Sequence, residues 1–598
     1  MHSELPPTPR ALSDDELQEV LERAKADGGG VLAAMQILEA QAQLRETDKS
    51  ELRAWEQSHT EQQIEAPAFE PVLELAEESI ESPTVHFAEE DATAADELLV
   101  EAKVEEALAP ITQDIVVRTK RGAMDPSHSQ FWVWLTISGS LLPFGISLWL
   151  RSLGLTFAQS LVAAVLGLFA SAGVVAVGAI AGKRSSLPTL VLSRAAFGVF
   201  GNLAPAAILV ISRLFWALVL VVLGYILIAQ SAITQSVILG PATDVSVIAI
   251  AVLVGVVAVA VVLSSIGGRR LALAQRISGL LGLTTALVIG FARIAAHGTA
   301  DFANQDGSWL RAFGASVVIF AVFGLAWSSA SSDYASGLPV KVRGLKVAGW
   351  ALLAMGVIPV LLVWLGLLVF GDVTSADFAS TFDVMVAGTN LSIFNVLVQL
   401  SLAATLITTI SMSLRSSSMS FESIQLKVKP AIATPAIALL AVVLAVLGLG
   451  YLGTAGFWFN LHGYALVLAV PVAAWSGIFV SDVLIRRIAY HEVSLSRGYG
   501  FYKAINPANT FGWLAAVALG WGLLRSDLVE FQWLGYLSDY ASNSRFWAQS
   551  NLGVVIAFAI GLLLPVSAGI PRIKRQETEV LLIESRRNDL KDVLGLID

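Results

Sequence analysis

Two short stretches of this sequence carry polar chemistry that their apolar surroundings lack. One reads Thr136-Ile137-Ser138-Gly139-Ser140-Leu141-Leu142-Pro143-Phe144-Gly145. The other reads Gly324-Leu325-Ala326-Trp327-Ser328-Ser329-Ala330-Ser331-Ser332-Asp333-Tyr334. Glycine and proline weaken a helix, and serine hydroxyls satisfy the backbone groups that a break frees. A break inside an apolar run supplies polar atoms at membrane depth, which is what holding a small solute there requires. Small residues also permit plain close packing of helices, and either stretch alone fits that reading equally well. Other chemistries find no support. The chain has no cysteine, hence no thiolate metal site, thiol nucleophile or disulfide framework. No His/Asp/Glu group has metal-ligand spacing, no nucleophile triad is readable, and no phosphate loop with its lysine is present. An enzyme, a cofactor, a bound metal and a nucleic-acid partner are therefore not expected.

The elements that carry these stretches are membrane spans. Of the 598 residues, 55% are hydrophobic and 14% charged, against roughly 25% charged in an ordinary soluble domain. So few polar groups cannot cover so apolar a core in water, which excludes a soluble enzyme. A bilayer crossing needs about 20 apolar residues. Twelve such runs are expected near 131–150, 156–182, 203–230, 245–266, 271–296, 312–331, 346–371, 391–414, 431–453, 460–484, 509–525 and 549–570. Cytoplasmic loops are enriched in Lys and Arg, and every second connection here is basic. Lys183, Arg184 and Arg194 follow span two, Arg269, Arg270 and Arg276 span four, and Lys341, Arg343 and Lys346 span six. The alternate connections carry acids such as Asp301, Asp372 and Glu530. This alternation predicts a multi-pass protein of the plasma (inner) membrane with both termini in the cytoplasm.

Charge divides the chain. Residues 1–122 hold 28 acidic and 10 basic residues, and the remainder 20 and 28. Trp55, Phe69 and Phe87 are the aromatic residues of 1–121, too few to offset the ordering entropy by burial. Residues 1–121 are expected to form an acidic cytoplasmic tail, mostly disordered or loosely helical, ahead of a twelve-helix domain over 122–570. Residues 571–598 mix Lys and Arg with apolar positions such as Val580, Leu581, Leu590 and Val593. They suit an interfacial amphipathic helix, or one packed on the cytoplasmic loops or bound to the acidic tail.

Spans one and six each open a five-helix unit and run in opposite directions. Breaks at equivalent places point to a five-plus-five inverted repeat. Four further motifs resemble one family. The stretch Leu187-Pro188-Thr189-Leu190-Val191-Leu192-Ser193-Arg194-Ala195-Ala196-Phe197-Gly198-Val199-Phe200-Gly201-Asn202 resembles the loop between spans two and three of the purine-cytosine permeases, the first nucleobase:cation symporter family, whose Ser-Arg-x-x-Phe-Gly-x-x-Gly-Asn ending is matched from Ser193 to Asn202. Arg213 and Trp216 resemble its third-span Arg-x-x-Trp. Trp327 with Ser332-Asp333-Tyr334 and Pro339 resembles its sixth-span block, and Trp475, Asp482, Arg486 and Arg487 its tenth-span ending. The similarity covers about residues 125–570.

The resemblance implies an all-α, leucine-transporter-like fold that takes up a small planar heterocycle with a proton or sodium ion by alternating access. It implies that Trp216 and Trp327 sandwich the substrate ring. Where family members often carry amides, this chain has Ser138, Leu220 and, in span eight, Leu406 and Thr409. Hydroxyls of Ser138, Ser140, Ser329, Ser332 and Thr409 are then the candidate readers of the ring edge. A sodium site of this fold uses span-one carbonyls and span-eight hydroxyls, for which Ser401 and Thr405 are candidates, with Thr408 and Thr409 beside them. Arg194, Arg213 and Asp333 are candidate gating or structural charges, because charge inside a membrane is costly and seeks a partner or a wet cavity. An Arg213–Asp333 contact is expected from similar depth, or an Asp333–Arg194 pair instead. Asp482 with Arg486, four residues on, reads as structural. An amino-acid or vitamin carrier on the same fold, or a non-transporting membrane receptor or scaffold, remains as an alternative.

Overall fold

The computed structural model describes residues 126–229, 247–299, 302, 306–339, 342–370, 392–426, 428–496, 501–526, 528–540 and 543–593. The acidic tail expected over 1–121 lies outside the described residues. All regular structure among the described residues is helical. Nine helices there are long and apolar enough to cross a membrane, and a tenth crossing arises if the bent pair at residues 126–152 counts as one span.

That bent pair is the first of the two interruptions. Ser129–Ser138 and Leu142–Ser152 meet at 48°. The side chain of Ser140 does what the missing helical turn cannot. Its Oγ donates to the Ile137 carbonyl at 2.9 Å and accepts from Leu142 N–H at 3.2 Å. Pro143 sits in the first turn of the second piece, where its missing N–H costs nothing. The sixth span fails differently. Trp309–Ile319 runs into a widened π-helical segment, Phe320–Leu325, and one last α turn, Ala326–Ser328. Residues 329–335 continue as tight turns, with Ala330 N–H on Trp327 O at 3.0 Å and Asp333 N–H on Ala330 O at 3.2 Å. Ser328 and Ser331 each return a hydroxyl to the carbonyl three residues back.

The second span, Phe157–Lys183, starts at a full capping box, with Thr156 Oγ1 on Gln159 N–H and Gln159 Oε1 on Thr156 N–H. Its glycines let the broken sixth span lie directly on it. A Cβ at Gly178 would stand 2.4 Å from Ser331 Cβ, and one at Gly182 2.2 Å from the Ser332 carbonyl oxygen. Leu203–Ala229, Val247–Ile266 and Gly268–His297 follow. The seventh span combines Gly344–Leu352, a π segment Leu353–Val357, and Ile358–Val369. Ser392–Ser420 is the eighth. Pro430–Ile485 contains two spans divided at Gly453, whose φ of 67° no ordinary helical residue adopts. Pro507–Leu523 and Leu552–Leu564 follow, and the last continues through a π turn into Ile570–Val593. The boundary drawn at 571 from sequence thus falls within continuous helix.

The motif from Ser193 to Asn202 is a strap. Ser193 Oγ and Asn202 Oδ1 meet at 2.7 Å, and Asn202 Nδ2 reaches Leu190 O at 2.8 Å. Phe200 N–H and Gly201 N–H both donate to Ala504 O, and Asn506 N–H returns to Phe197 O. Gly198 makes this approach possible, at φ 87° and with Lys503 O only 2.6 Å from where a Cβ would stand. Gly198→Ala is expected to cost at least about 1 kcal/mol, read as a lower melting temperature of the purified protein.

Candidate functional site

Trp327 lies where the π segment ends, 7% exposed. Widened turns of this kind are frequent at functional positions. The Arg213 guanidinium carbon stands 5.0 Å from the centre of its ring. Trp134 of the first span meets the Trp327 ring edge-on, with centroids 6.3 Å apart, and meets Tyr334 likewise at 6.1 Å. Trp134 is itself fixed by Gln130, whose Oε1 accepts from the indole at 3.2 Å and whose Nε2 donates to Tyr334 O at 2.7 Å. Tyr334 closes the circuit through its hydroxyl onto Met412 O of span eight at 2.6 Å. Trp216 of span three is half-buried and packs against the apolar cluster that contains Trp327.

Arg213 is 1% exposed. Its Nη1 donates to Ala326 O at 3.0 Å and its Nη2 reaches Ser413 O at 3.5 Å, so it ties span three to the sixth and eighth spans. The expected Arg213–Asp333 contact does not form. Asp333 instead accepts from Thr189 N–H at 2.8 Å, Thr189 Oγ1 at 2.7 Å and Ser416 Oγ at 2.5 Å. Nor does Asp333 pair with Arg194, which donates to Leu495 O, Glu422 O and Ser423 O. The reason is shared by both arginines. Each is surrounded by backbone carbonyls, and these solvate a guanidinium without an ion pair.

The candidate hydroxyls are placed as follows. Ser138 donates to Trp134 O and to Ala354 O at 2.6 Å, in the π segment of span seven. Ser332 donates to Gly178 O. Ser329 is 2% exposed. Thr409 donates to Thr405 O, Thr408 to Ala404 O, and Thr405 to Ser401 O and Leu402 O. A hydroxyl committed in this way offers a ligand its lone pairs alone. It can accept from a ring N–H or coordinate a cation, but not donate to a ring carbonyl. Ser401, 1% exposed, stands one turn before Thr405 on the same helix. At Gly282 of span five a Cβ would lie 2.8 Å from Gly139 O, 3.0 Å from Thr405 Cγ2 and 3.3 Å from Ser140 Cα. The break of span one and the hydroxyl row of span eight therefore converge on that glycine.

Sequence reasoning missed Gln130, Trp134, Thr189 and Ser416. The first two are legible in hindsight as an amide and an indole at i and i+4 on one helix face. Thr189 and Ser416 carried no local signal, since each acts on a group far away in the chain.

Below the site, Asp482 and Arg486 pair as expected, 2% and 1% exposed, at 3.1 Å. Two groups of the last helix join them. Arg572 stands 3.5 Å from Asp482 Oδ1, and Gln576 Oε1 accepts from Arg486 at 2.8 Å. Glu577 accepts from the N–H groups of Arg487 and Ile488. Burial alone would push its carboxyl up, but the Arg487 N–H, Lys574 and the Ile488 N–H outweigh that and hold it below the usual carboxylate range. Arg572, Gln576 and Glu577 thus hold the start of this helix to residues 482–488.

A family model described as permease for cytosine/purines, uracil, thiamine, allantoin matches residues 127–541. Among solved structures, the fold is similar to Mhp1, described as a nucleobase-cation-symport-1 family transporter, in a closed conformation with bromovinylhydantoin bound. The TM-score is 0.55 at 15% identity, covering 77% of this chain and 97% of that one. Mhp1 in its inward-facing conformation gives 0.54 at 16% identity, covering 75% and 90%. Identity this low carries the fold and no more. The comparison with curated proteins gave no match.

Proposed function

This chain belongs to the family of permeases for cytosine/purines, uracil, thiamine and allantoin, and from that premise we propose a secondary transporter that imports a nucleobase or related planar heterocycle with a proton or sodium ion by alternating access. One observation carries the reading. The π-widened turn of span six brings Trp327 against Trp134 in the helical piece that precedes the break of span one, beside Arg213, which ties spans three, six and eight. A flat ring suits stacking on Trp216 and Trp327. Ser138, Ser140, Ser329, Ser332 and Thr409 would accept from its N–H groups. With the bent pair counted as one span, the ten crossings would become twelve if Ser392–Ser420 and Pro507–Leu523 also cross. Both termini would then face the cytoplasm.

For the coupling ion, Thr405 and Ser401 with the Gly139 carbonyl would supply an oxygen-only set that suits a hard cation. The test is uptake of labelled cytosine, uracil, adenine, hypoxanthine, allantoin and hydantoin by vesicles carrying the purified chain, under a sodium or a pH gradient. Saturable, gradient-driven uptake of at least one ring is expected. No uptake of any by correctly inserted protein would overturn the reading and favour a receptor. Thr405→Val keeps the shape and removes the hydroxyl. With sodium coupling it should raise the sodium concentration for half-maximal uptake by about 10- to 100-fold. Uptake driven by pH alone and indifferent to Thr405→Val would assign the proton.

A further inference from the structure

Gln130 is a fully buried amide on the first piece of span one, Ser129–Ser138. Burying an amide is costly unless its donor and acceptor are both met. Here they are. Its Oε1 accepts from Trp134 Nε1 at 3.2 Å, and its Nε2 donates to Tyr334 O at 2.7 Å. These partners leave the amide one orientation. An indole nitrogen only donates and a carbonyl oxygen only accepts, so turning the amide over would lose both bonds.

The two partners belong to the two interrupted spans. Trp134 is on the piece of span one ahead of its break, and Tyr334 lies in the tight turns that follow span six. Trp134 is itself fully buried and stands edge-on to Trp327, at an interplanar angle of 80°, and to Tyr334, at 87°. Edge-to-face packing has a preferred geometry, because the positive edge of one ring meets the negative face of the other. The Trp134 ring can therefore hold the tilt of Trp327 only while its own rotation is fixed. The hydrogen bond to Gln130 is what fixes it, and the Tyr334 carbonyl in turn holds Gln130.

We infer that Gln130 is a positioning residue for the transported ring. It sets the indole of Trp134, and Trp134 sets the plane of Trp327, the surface on which the ring stacks in the reading above. The inference rests on that reading and adds to it a residue that touches no substrate. Without the Gln130 amide, Trp327 stays in the site but its plane varies, and a flat ring binds a less ordered surface. Such a loss raises KM and leaves the maximal rate per inserted chain unchanged. A purely structural role does the reverse, since a folding defect lowers the amount of active carrier and leaves KM alone.

The experiment measures KM and maximal rate per inserted chain in the vesicle assay above, with labelled cytosine, uracil, adenine, hypoxanthine, allantoin and hydantoin. The chains compared are wild type, Gln130→Met, Trp134→Phe and the double variant. Methionine keeps the side-chain length without either hydrogen bond, and phenylalanine keeps a ring without the indole N–H. Each single variant is expected to raise KM by about 2- to 10-fold, the range for one edge-to-face aromatic contact, at a maximal rate near that of wild type. The double variant should match the larger single rather than the product of the two, because both substitutions remove the same bond. Gln130→Asn keeps the amide but withdraws it by one methylene, so it should raise KM too, and it decides the matter if Gln130→Met fails to insert. A wild-type KM in the Gln130 variants, or a double variant equal to the product of the singles, overturns the positioning role and leaves the transport reading standing. Wild type that takes up none of the rings overturns both.

Discussion

Asp482→Asn is expected to destabilise the protein by about 3–5 kcal/mol, the effect of leaving buried charge unpaired. Asp482 faces two guanidinium groups, Arg486 at 3.1 Å and Arg572 at 3.5 Å. The amide keeps the shape and one acceptor but removes the counter-charge from both arginines. Arg486, 1% exposed, has few other options. Its remaining contacts are Gln576 and the ring of Tyr490, 5.0 Å away. The loss should spread, because the same cluster anchors the last helix to the strap. Arg572 Nη1, Asn506 and Asn509 all donate to the single carbonyl of Ala196, and Gln576 Nε2 reaches Ala195 O. The check is thermal unfolding in detergent, together with protease access to residues beyond 570. Replacing all three charges at once, with Asp482→Leu, Arg486→Met and Arg572→Met, should recover most of the loss, since an apolar substitute avoids the desolvation cost altogether. A single variant as stable as wild type would show the cluster to be hydrated.

Trp327→Ala should raise KM for the transported ring by about 5- to 150-fold, the range for losing one aromatic stacking partner. The substitution also empties a buried site, which by itself costs about 3–5 kcal/mol. Trp327→Phe separates the two effects. It retains a ring for Arg213 and for the substrate, so it should keep most affinity while losing part of the stability. Trp216 is only half-buried, so Trp216→Ala should raise KM similarly at a smaller cost in stability. If Trp327→Ala and Trp327→Phe lose stability in the expected order while KM stays at the wild-type value in all three variants, the tryptophans are packing residues and the sandwich reading falls.

How much of this was legible beforehand differs by level. The spans near 156–182, 203–230 and 271–296 correspond to helices Phe157–Lys183, Leu203–Ala229 and Gly268–His297. Apolar length alone decides such elements, because a bilayer leaves the backbone few ways to be satisfied. The break in span one was legible for the same reason, since Gly139, Ser140 and Pro143 act locally. The sixth span was half legible. Its serine run announced the loss of regular helix after Ser328, while the π segment over Phe320–Leu325 had no local sign.

The charges mark where reading from sequence stopped. Asp482 and Arg486 pair because they are four residues apart on one helix, a local rule. Arg213 and Asp333 were matched by depth, but depth says nothing about which carbonyls and hydroxyls surround a group.

The sequence by itself determined a multi-pass helical membrane protein, the places where its helices weaken, and the family to which its motifs belong. These follow from local composition, from spacing along one chain and from charge bias between loops. Tertiary structure decided which hydroxyls are already spent, that Asp333 bonds to Thr189 and Ser416 rather than to an arginine, and that the last helix locks onto Asp482. Each of these depends on groups brought together from residues tens to hundreds of positions apart, and hydrogen bonds and ion pairs act over a few ångströms of space whatever the separation in sequence.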